Sequence, residues 1–377
     1  MSSRVYLDHN AASPLRAEAR EAVAAALEIG ANPSSVHAPG RAARAVVERA
    51  RVHVAALAGV APDEIVFTSG ATEANNLALK GVSAERRLVS AVEHASVLEP
   101  VVDGERISVD AHGIVDLAAL QRMLALDARP TLVSIMAANN ETGVVQPIAE
   151  IGRIVHAAGA ILHCDAAQAP GRLSLEPIAA VADLVSLSSP KIGGPMGTGA
   201  LIVRDRVVLA PLLTGGGQER RLRAGTENLL GIAGFGAAAE RARFDLAGVA
   251  HIALLRDRLE AAALKLAPEA VIVGAGAPRL TNTSALALPG IPAESQILAL
   301  DLAGISVGAG AACSSGKISR SHVLTAMKLP DDIAMATIRI SLAPSTVEAD
   351  IDAFLGAWGD LRVRARANRA PSRAEVA

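Results

Sequence analysis

The sequence reads Ser188-Ser189-Pro190-Lys191-Ile192-Gly193-Gly194-Pro195 directly after the apolar run at 182–187. An apolar run that leads into a glycine-rich turn is typical of the end of a buried strand in an α/β protein, where such folds place reactive groups. Lys191 is one of only five lysines, and arginine supplies most of the positive charge. Because a desolvated amine loses its proton more easily, this position suits a lysine that forms a Schiff base. A solvated lysine in a surface loop is the alternative interpretation.

A second apolar stretch, at 160–164, ends in the carboxylate of Asp165, 26 residues before the lysine. A pyridinium nitrogen stays protonated beside a buried anion, so this pair indicates a pyridoxal enzyme. Side chains alternate along a strand, so His163 and Asp165 face one way and Cys164 the other. A metal site built from these three neighbours is therefore not expected, and Cys164 is interpreted as a small buried hydrophobic residue.

The composition is that of a globular chain with a sizeable core. Of 377 residues, 51% are hydrophobic but only 2% aromatic, so the core must consist of Ala, Val, Leu and Ile. The length fits two or three domains. The formal net charge of -2 points to no nucleic-acid or anionic-membrane partner. Two cysteines give no disulfide framework and the N-terminus has no apolar signal region, so we expect a cytoplasmic protein.

Short β-rich runs alternate with alanine-rich helical stretches up to about residue 248. This alternation predicts an α/β fold with a mostly parallel sheet covered by helices on both faces. Beyond it, a long helix and further strands predict a smaller α+β domain. We therefore expect a large domain at 15–248, a small domain formed by 1–14 and 249–365, and a disordered tail at 366–377.

Small and polar residues at 68–76 follow a predicted strand and open a helix. Backbone amides at a helix N-terminus attract anions, so this run predicts a phosphate cradle with Ala71 and Thr72 as donors. An ordinary N-cap made by Thr72 or Ser69 is the alternative. The Gly-x-Gly-x-x-Gly fingerprint of a dinucleotide site is absent from the sequence.

Two further polar side chains fit a flat heteroaromatic ring at the strand ends. His94 follows another predicted strand, where an imidazole could stack on the ring or carry a proton; a purely structural histidine is the alternative. Gln168, three residues after Asp165, could hydrogen-bond an oxygen on the same ring.

The motifs also occur in a specific order along the chain: Tyr6-Leu7-Asp8, Asn10-Ala11-Ala12, Asn32-Pro33-Ser34-Ser35, the run 68–76, Glu93-His94, Asn139-Asn140-Glu141-Thr142-Gly143, His163-Cys164-Asp165-Ala166-Ala167-Gln168, Lys191, Gly225-Thr226-Glu227-Asn228 and Gly310-Ala311-Ala312-Cys313-Ser314-Ser315. This ordered set resembles the cysteine desulfurases of the NifS/IscS-like group, which are pyridoxal 5′-phosphate (PLP) enzymes of the class V aminotransferase fold. The resemblance extends from about residue 5 to residue 360.

The resemblance implies a fold and a cofactor site. The fold would be that of the fold type I PLP-dependent transferases, with a mostly parallel seven-stranded sheet in the large domain. Lys191 would bind PLP as a Schiff base, with Asp165 at the pyridine nitrogen and Gln168 at the ring oxygen. The remaining cofactor contacts that it implies are ring stacking by His94 and phosphate contacts from Thr72, Ser188 and, across a homodimer interface, Thr226.

The resemblance also implies a substrate and a second reactive group. L-cysteine would be bound by Asn10, Asn140 and Arg339, and Cys313 would attack its sulfur, with His94 and Lys191 as the other catalytic residues. The products would be L-alanine and an enzyme persulfide that supplies a sulfur acceptor or an iron–sulfur scaffold protein.

The sequence around Cys313 suits such a nucleophile. Small residues at 308–316 let a loop move, and the nearby Lys317 favours the thiolate. An inert, packed cysteine is the alternative.

One departure from the family pattern is Pro190, which stands where histidine is usual and offers no donor to a phosphate. Because this phosphate donor is lost, we expect a lower affinity for PLP and a lower reaction rate. Besides a cysteine desulfurase, two readings stay open: a selenocysteine lyase or other class V enzyme, and a non-catalytic homologue that acts as a binding partner.

Overall fold

The computed structural model describes residues 4–309 and 320–369. Within those ranges the strands form three sheets. The strands are β1 (Val5–Tyr6), β2 (Ile65–Thr68), β3 (Arg86–Ser90), β4 (Glu105–Ile107), β5 (Thr131–Ser134), β6 (Ile161–Asp165), β7 (Leu184–Ser188), β8 (Gly199–Val203), β9 (Val271–Val273), β10 (Thr283–Ala287), β11 (Ile305–Ser306), β12 (Gly308–Ala309) and β13 (Thr337–Ser341).

The helices alternate with these strands. They are α1 (Ala17–Leu27), α2 (Ala38–Ala58), α3 (Ala71–Gly81), α4 (Ala95–Leu98), α5 (Leu117–Ala125), α6 (Ile148–Ala157), α7 (Glu176–Val181), α8 (Leu229–Asp245), α9 (Val249–Leu266), α10 (Ala293–Leu302), α11 (His322–Ala326), α12 (Asp331–Ala334) and α13 (Glu348–Arg369).

The largest sheet has seven strands in the order β2-β8-β7-β6-β5-β3-β4. Strands β3 to β7 pair in parallel, whereas β8 is antiparallel to both of its neighbours. The predicted α/β fold with a mostly parallel seven-stranded sheet is therefore confirmed. The parallel strands all end at one edge, so the residues that follow them are brought together there.

The central strands are buried on both faces, which explains their nearly continuous apolar sequences. Val185 packs in a cluster with residues of α2 and α8, whereas its neighbour Leu184 packs in a cluster with residues of α3. Close packing of α2 on α8 depends on Gly236, because a Cβ there would lie 2.6 Å from the Cα of Ala50. The sheet is thus a rigid base for the residues at its edge.

A second unit is built on the antiparallel sheet β12-β13-β10-β9 and the parallel pair β1-β11. Its own hydrophobic cluster brings Leu7 together with Ile340, Phe354 and Trp358. The domain boundaries expected from the sequence stay a prediction.

The C-terminal end differs from the sequence-based expectation. Helix α13 continues through Arg369, so the first four residues of the predicted tail are helical. Alanine and arginine both favour helix, and Arg362 and Arg366 pair with Glu269. Residues 370–377 lie outside the described residues. Within the described ranges, no helix is both long and apolar enough to cross a membrane.

Candidate active site

The carboxyl edge of the large sheet gathers most of the predicted site residues. Asp165 is the last residue of β6 and Ser188 the last of β7. Lys191 lies three residues further, in a short 3-10 turn. His94 follows β3 and caps the N-terminus of α4. Because β3, β6 and β7 are parallel members of one sheet, these side chains share one edge, and their individual roles stay predictions.

The amine of Lys191 is held by the N-terminal segment. Its Nζ donates to the backbone oxygen of Asn10 over 2.9 Å and to that of Ala11 over 2.6 Å. Burial, followed by the positive charges of Arg339 and Arg172, lowers the pKa of Lys191 to about 8. A reactive fraction of the amine is therefore uncharged near neutral pH and can act as a nucleophile or proton acceptor.

The carboxylate of Asp165 is buried and held by two donors. Its Oδ1 accepts from the Ala167 amide at 2.9 Å, and its Oδ2 accepts from Nδ2 of Asn75 at 2.7 Å. The same Asn75 nitrogen donates to Ser96 Oγ at 2.8 Å, and that hydroxyl is hydrogen-bonded to Nδ1 of His94 at 2.8 Å. A polar network thus links Asp165 to His94 through a residue of α3.

Glu93 is a second buried carboxyl group at this edge. Its Oε1 accepts from Ser90 Oγ at 2.6 Å and from the Met136 amide at 2.7 Å, whereas Oε2 has no partner among the described residues. Burial is the main cause that raises the pKa of Glu93 to about 8, and the charge of Asp165 raises it further. Most molecules therefore carry a neutral carboxylic acid here at pH 7.

The turn before α3 fits an anion. Gly70 has a φ of 155°, a conformation that only glycine adopts readily, and no atom beyond its chain neighbours lies within 4 Å of the place where a Cβ would be. Ala71 and Thr72 begin α3, and the first amides of a helix have no acceptor inside it. Ser188 pairs with Gly199, whose added Cβ would lie 2.7 Å from the Cα of Gly70. Ala71 and Thr72 therefore begin α3 at this open turn, and the end of β7 that carries Ser188 lies near it.

Gln168 lies in the turn that follows β6. Its Nε2 donates to the backbone oxygen of Asn10 at 3.0 Å, and its Oε1 accepts from the guanidinium of Arg172. The oxygen of Asn10 therefore receives hydrogen bonds from both Gln168 and Lys191.

The three predicted substrate-binding residues meet at the backbone oxygen of Asn140. This oxygen accepts from Nδ2 of Asn10 at 3.2 Å and from Nη1 of Arg339 at 3.1 Å. Nη2 of Arg339 donates to Asp8 at 2.7 Å, and its buried Nε has no partner among the described residues. A partly unpaired guanidinium is a suitable site for a carboxylate.

Thr226 is exposed and lines a cavity of about 180 Å³ with Ser69 and Asn228. Ser69 immediately precedes the turn at Gly70, so this cavity borders the candidate phosphate cradle. The contact of Thr226 with a phosphate across a subunit interface stays a prediction.

Of the two cysteines, Cys164 lies within the described residues. Cys313 lies outside the described residues. Cys164 is fully buried in β6, and burial raises the pKa of its thiol well above the ordinary value. A thiol of this kind is protonated and inert at neutral pH. Over residues 4–309 and 320–369, no group of three or more His, Cys, Asp or Glu side chains could hold a metal ion.

Sequence reasoning did not single out Asn75, Glu93 or Arg172. Asn75 falls inside the glycine-containing run at 68–76, and Glu93 directly precedes His94. Their positions within or beside these motifs could have indicated that both residues belong to the site. Arg172 follows Gln168 by four residues and carried no such signal.

The described residues fit PLP group by group. Lys191 offers an amine of lowered pKa, and Asp165 offers a buried carboxylate on the adjacent strand. The turn at Gly70 offers an open anion site. The buried Nε of Arg339 and the buried Oδ1 of Asn75 have no hydrogen-bond partner among the described residues. These two atoms are therefore available to a bound ligand.

Comparison with known proteins gives the same picture. The family model for class-V aminotransferases matches residues 5–354. The chain is 44% identical over 368 residues to a cysteine desulfurase of Cereibacter sphaeroides, covering 93% of this chain and 94% of that protein. It is 38% identical to the cysteine desulfurase IscS of Dictyoglomus turgidum, covering 93% of each. A solved NifS-like protein from Rickettsia africae has a TM-score of 0.89 at 36% identity, covering 96% of this chain and 99% of that one.

Proposed function

The chain belongs to the class-V aminotransferase family, and we infer from this premise that it is a PLP-dependent cysteine desulfurase. The observation that carries this function is the placement of Lys191, in the turn that follows β7, and of buried Asp165, at the end of the adjacent parallel strand β6. Relatives of nearly the same length, named as cysteine desulfurases, favour L-cysteine as the substrate.

PLP, when bound, supplies an electron sink that allows bonds around the α-carbon of an amino acid to be broken and formed. Asp165 would keep the pyridine nitrogen protonated, and Asn75 holds the carboxylate in place for this task. Ala71, Thr72 and Ser188 would hold the phosphate.

Lys191 would attach the cofactor and carry protons. With a pKa of about 8, its Nζ can both release and accept a proton near neutral pH, which suits general acid–base catalysis. His94, which is exposed at the sheet edge, would stack on the ring, and Gln168 would donate to the ring oxygen.

Arg339 would anchor the substrate carboxylate together with Asn10 and Asn140. Asp8 holds one side of the guanidinium, and the unpaired Nε leaves a donor for an incoming carboxylate. A guanidinium can pair with a carboxylate through two parallel hydrogen bonds, which fixes the orientation of the amino acid.

Cys313 would take the sulfur. Its thiolate attacks the sulfur of L-cysteine, so that a sulfur–sulfur bond forms while the carbon–sulfur bond breaks. The electron pair of the broken bond stays on carbon, which takes up a proton and leaves as L-alanine. The persulfide on Cys313 would then pass to a sulfur acceptor, such as an iron–sulfur scaffold protein.

We further propose a homodimer in which Thr226 of each subunit reaches the phosphate bound by the other. The support is the exposure of Thr226, which leaves its hydroxyl accessible to a second subunit. A cytoplasmic location, without nucleic-acid or membrane partners, is proposed on the cysteine usage and the near-neutral charge.

The proposed function is tested by incubating the purified PLP-loaded chain with L-cysteine and a thiol reductant. We expect equal amounts of L-alanine and sulfide, with none from the Lys191→Ala variant. Selenocysteine, assayed in parallel, should be the poorer substrate. An absence of cysteine-dependent alanine from protein that retains PLP would contradict the proposal and favour the non-catalytic alternative.

A further inference from the structure

Arg172 is a partly buried arginine in the turn after β6 that has no carboxylate partner among the described residues. Other enclosed arginines of this chain, such as Arg51 and Arg279, form ion pairs. A desolvated charge without a counterion is costly, and burial lowers the pKa of Arg172 to about 10. Solubility does not explain why a positive charge is retained at a position where burial disfavours it, which indicates a role of Arg172 in the site.

Among the described residues, the guanidinium donates only to carbonyl oxygens, and these come from three separate segments of the site. Its Nη1 reaches the backbone oxygen of Gln168 at 3.3 Å and the side-chain Oε1 of the same residue. Its Nη2 reaches the backbone oxygens of His9 at 3.1 Å and Lys191 at 3.4 Å. Arg172 therefore ties the turn after β6 to the N-terminal segment and to the turn that carries Lys191.

The contact with Gln168 also fixes the direction of its amide. Because Oε1 accepts from the guanidinium, Nε2 must point away from it, and it donates to Asn10 at 3.0 Å. A reversed amide would place an NH₂ group against a cation. The donor of Gln168 is thus kept on the side that faces the site.

The charge of Arg172 acts on the neighbouring amine. Among the described residues, the charged groups that act most strongly on the Lys191 amine are Arg339 on β13, Arg172 after β6, Asp165 on β6 and Asp8 after β1. The two arginines lower the pKa of Lys191 and the two aspartates raise it. His9 is neutral near pH 7, because burial and Arg172 lower its pKa to about 4.

We propose that Arg172 is a positioning residue of this site: its guanidinium holds the amide of Gln168 with the donor toward the cofactor and, bonded to the backbone oxygen of Lys191, places a positive charge next to that residue. The first role rests on the proposed function, through PLP. The second is a property of the protein without PLP and can be tested independently of turnover.

The test of the charge uses the PLP-free protein. The rate of reductive methylation of Lys191 is measured against pH by mass spectrometry of its peptide in wild type, Arg172→Met, Arg172→Lys and Arg86→Met. Removing a nearby positive charge stabilises the ammonium form, so the Arg172→Met midpoint should rise by about half a pH unit or more. At a fixed pH below the midpoint this is a roughly threefold slower reaction.

Arg172→Lys keeps the charge and should leave the midpoint close to wild type. Arg86 lies in β3 at the opposite end of the strands and pairs with Glu105, so Arg86→Met should leave the midpoint unchanged. If Arg172→Met does not fold, the neutral Arg172→Gln replaces it. A wild-type midpoint in the neutral variant, or an equal rise in Arg172→Lys, would overturn the role of the charge.

The contact between the Arg172 guanidinium and the Gln168 amide is tested by a double-mutant cycle on PLP affinity, measured by titration of the PLP-free protein. Gln168→Ala and Arg172→Lys should each weaken binding, by about fivefold, and the double variant should bind about as well as either single variant. Losses that simply multiply would show that the two residues act separately and would refute the positioning of Gln168. Neither the methylation midpoint nor the PLP affinity requires desulfurase activity. An inactive enzyme that shows both expected changes would therefore contradict the proposed function and leave the role of Arg172 standing.

Discussion

Nδ2 of Asn75 lies 2.7 Å from Oδ2 of Asp165, a contact between α3 and the end of β6 that joins residues 90 positions apart. The amide is fully buried and also donates to Ser96, so its orientation is determined by two acceptors. It presents a donor to the carboxylate that would keep the pyridine nitrogen protonated.

Asn75→Ala should therefore weaken PLP binding without removing it. Without Asn75 the buried carboxylate of Asp165 loses one of its two donors and is held less firmly toward the pyridine nitrogen, so the dissociation constant should rise roughly tenfold. PLP titration followed by visible absorbance measures this. Asn76→Ala is the control, since the Asn76 amide donates, in a solvent-exposed hydrogen bond, to the backbone oxygen of Thr72 on the same helix rather than to Asp165. Wild-type affinity in Asn75→Ala, or an equal loss in Asn76→Ala, would refute the assigned role.

Lys191→Ala should abolish covalent attachment of PLP. Borohydride reduction of the loaded wild type should leave the cofactor mass on the peptide that contains Lys191, because this amine alone among the groups discussed combines burial with a pKa of about 8. Lys265→Ala is the control, since Lys265 is exposed in the last turn of α9. Undiminished covalent labelling of Lys191→Ala would show that another amine holds the cofactor.

Glu93→Gln should flatten the dependence of stability on pH. The pKa of Glu93 is raised from 4.5 to about 8 in the folded protein, so between these values the folded state binds the proton more tightly than the unfolded chain. This contribution is fully present below about pH 4.5 and is lost as the pH rises through 8. Glutamine keeps an acceptor for Ser90 and Met136 but has no proton to lose.

The free energy of unfolding of wild type should thus fall, relative to Glu93→Gln, by about 4 kcal/mol between pH 5 and pH 8.5. Urea unfolding of the PLP-free proteins at several pH values measures this difference. Glu99→Gln, which changes an exposed glutamate in the same segment, should run parallel to wild type. A Glu93→Gln curve parallel to wild type would show that Glu93 is charged in the folded protein at pH 7.

The sheet and the residues at the ends of its strands could be predicted because both follow from short stretches of sequence. Apolar runs that end in Asp165 and Lys191 mark buried parallel strands, and parallel strands bring their carboxyl ends to one edge. The structure also shows why Lys191 is reactive, since desolvation is the largest cause of its lowered pKa.

The supporting contacts could not be predicted in this way. Asn75 reaches Asp165 because α3 packs against β6, a tertiary contact that sequence spacing does not reveal. Arg172 pairs with carbonyl oxygens rather than with a carboxylate, so no complementary charge in the sequence indicated its place. The helical residues after 365 depend on Glu269, a partner about a hundred positions away.

Cys313→Ser should block sulfur transfer while leaving PLP binding intact. Serine keeps nearly the same volume but stays protonated at neutral pH, so it cannot attack sulfur. The PLP-binding residues proposed above are distant from Cys313 in sequence, so the variant should still show a spectral change on addition of L-cysteine. It should release almost no L-alanine.

Cys164→Ser is the matched control for this experiment. Cys164 is buried in β6, and burial raises its pKa well above the ordinary value, so its thiol has no thiolate to offer at neutral pH. The variant should keep most of its turnover, with only a modest loss of stability from a hydroxyl in an apolar strand. After a pulse of L-cysteine, mass spectrometry of wild type should find one added sulfur on the peptide that contains Cys313. Sulfur on the Cys164 peptide, or full activity in Cys313→Ser, would overturn the proposed sulfur transfer, because the nucleophile must be the cysteine that can ionise.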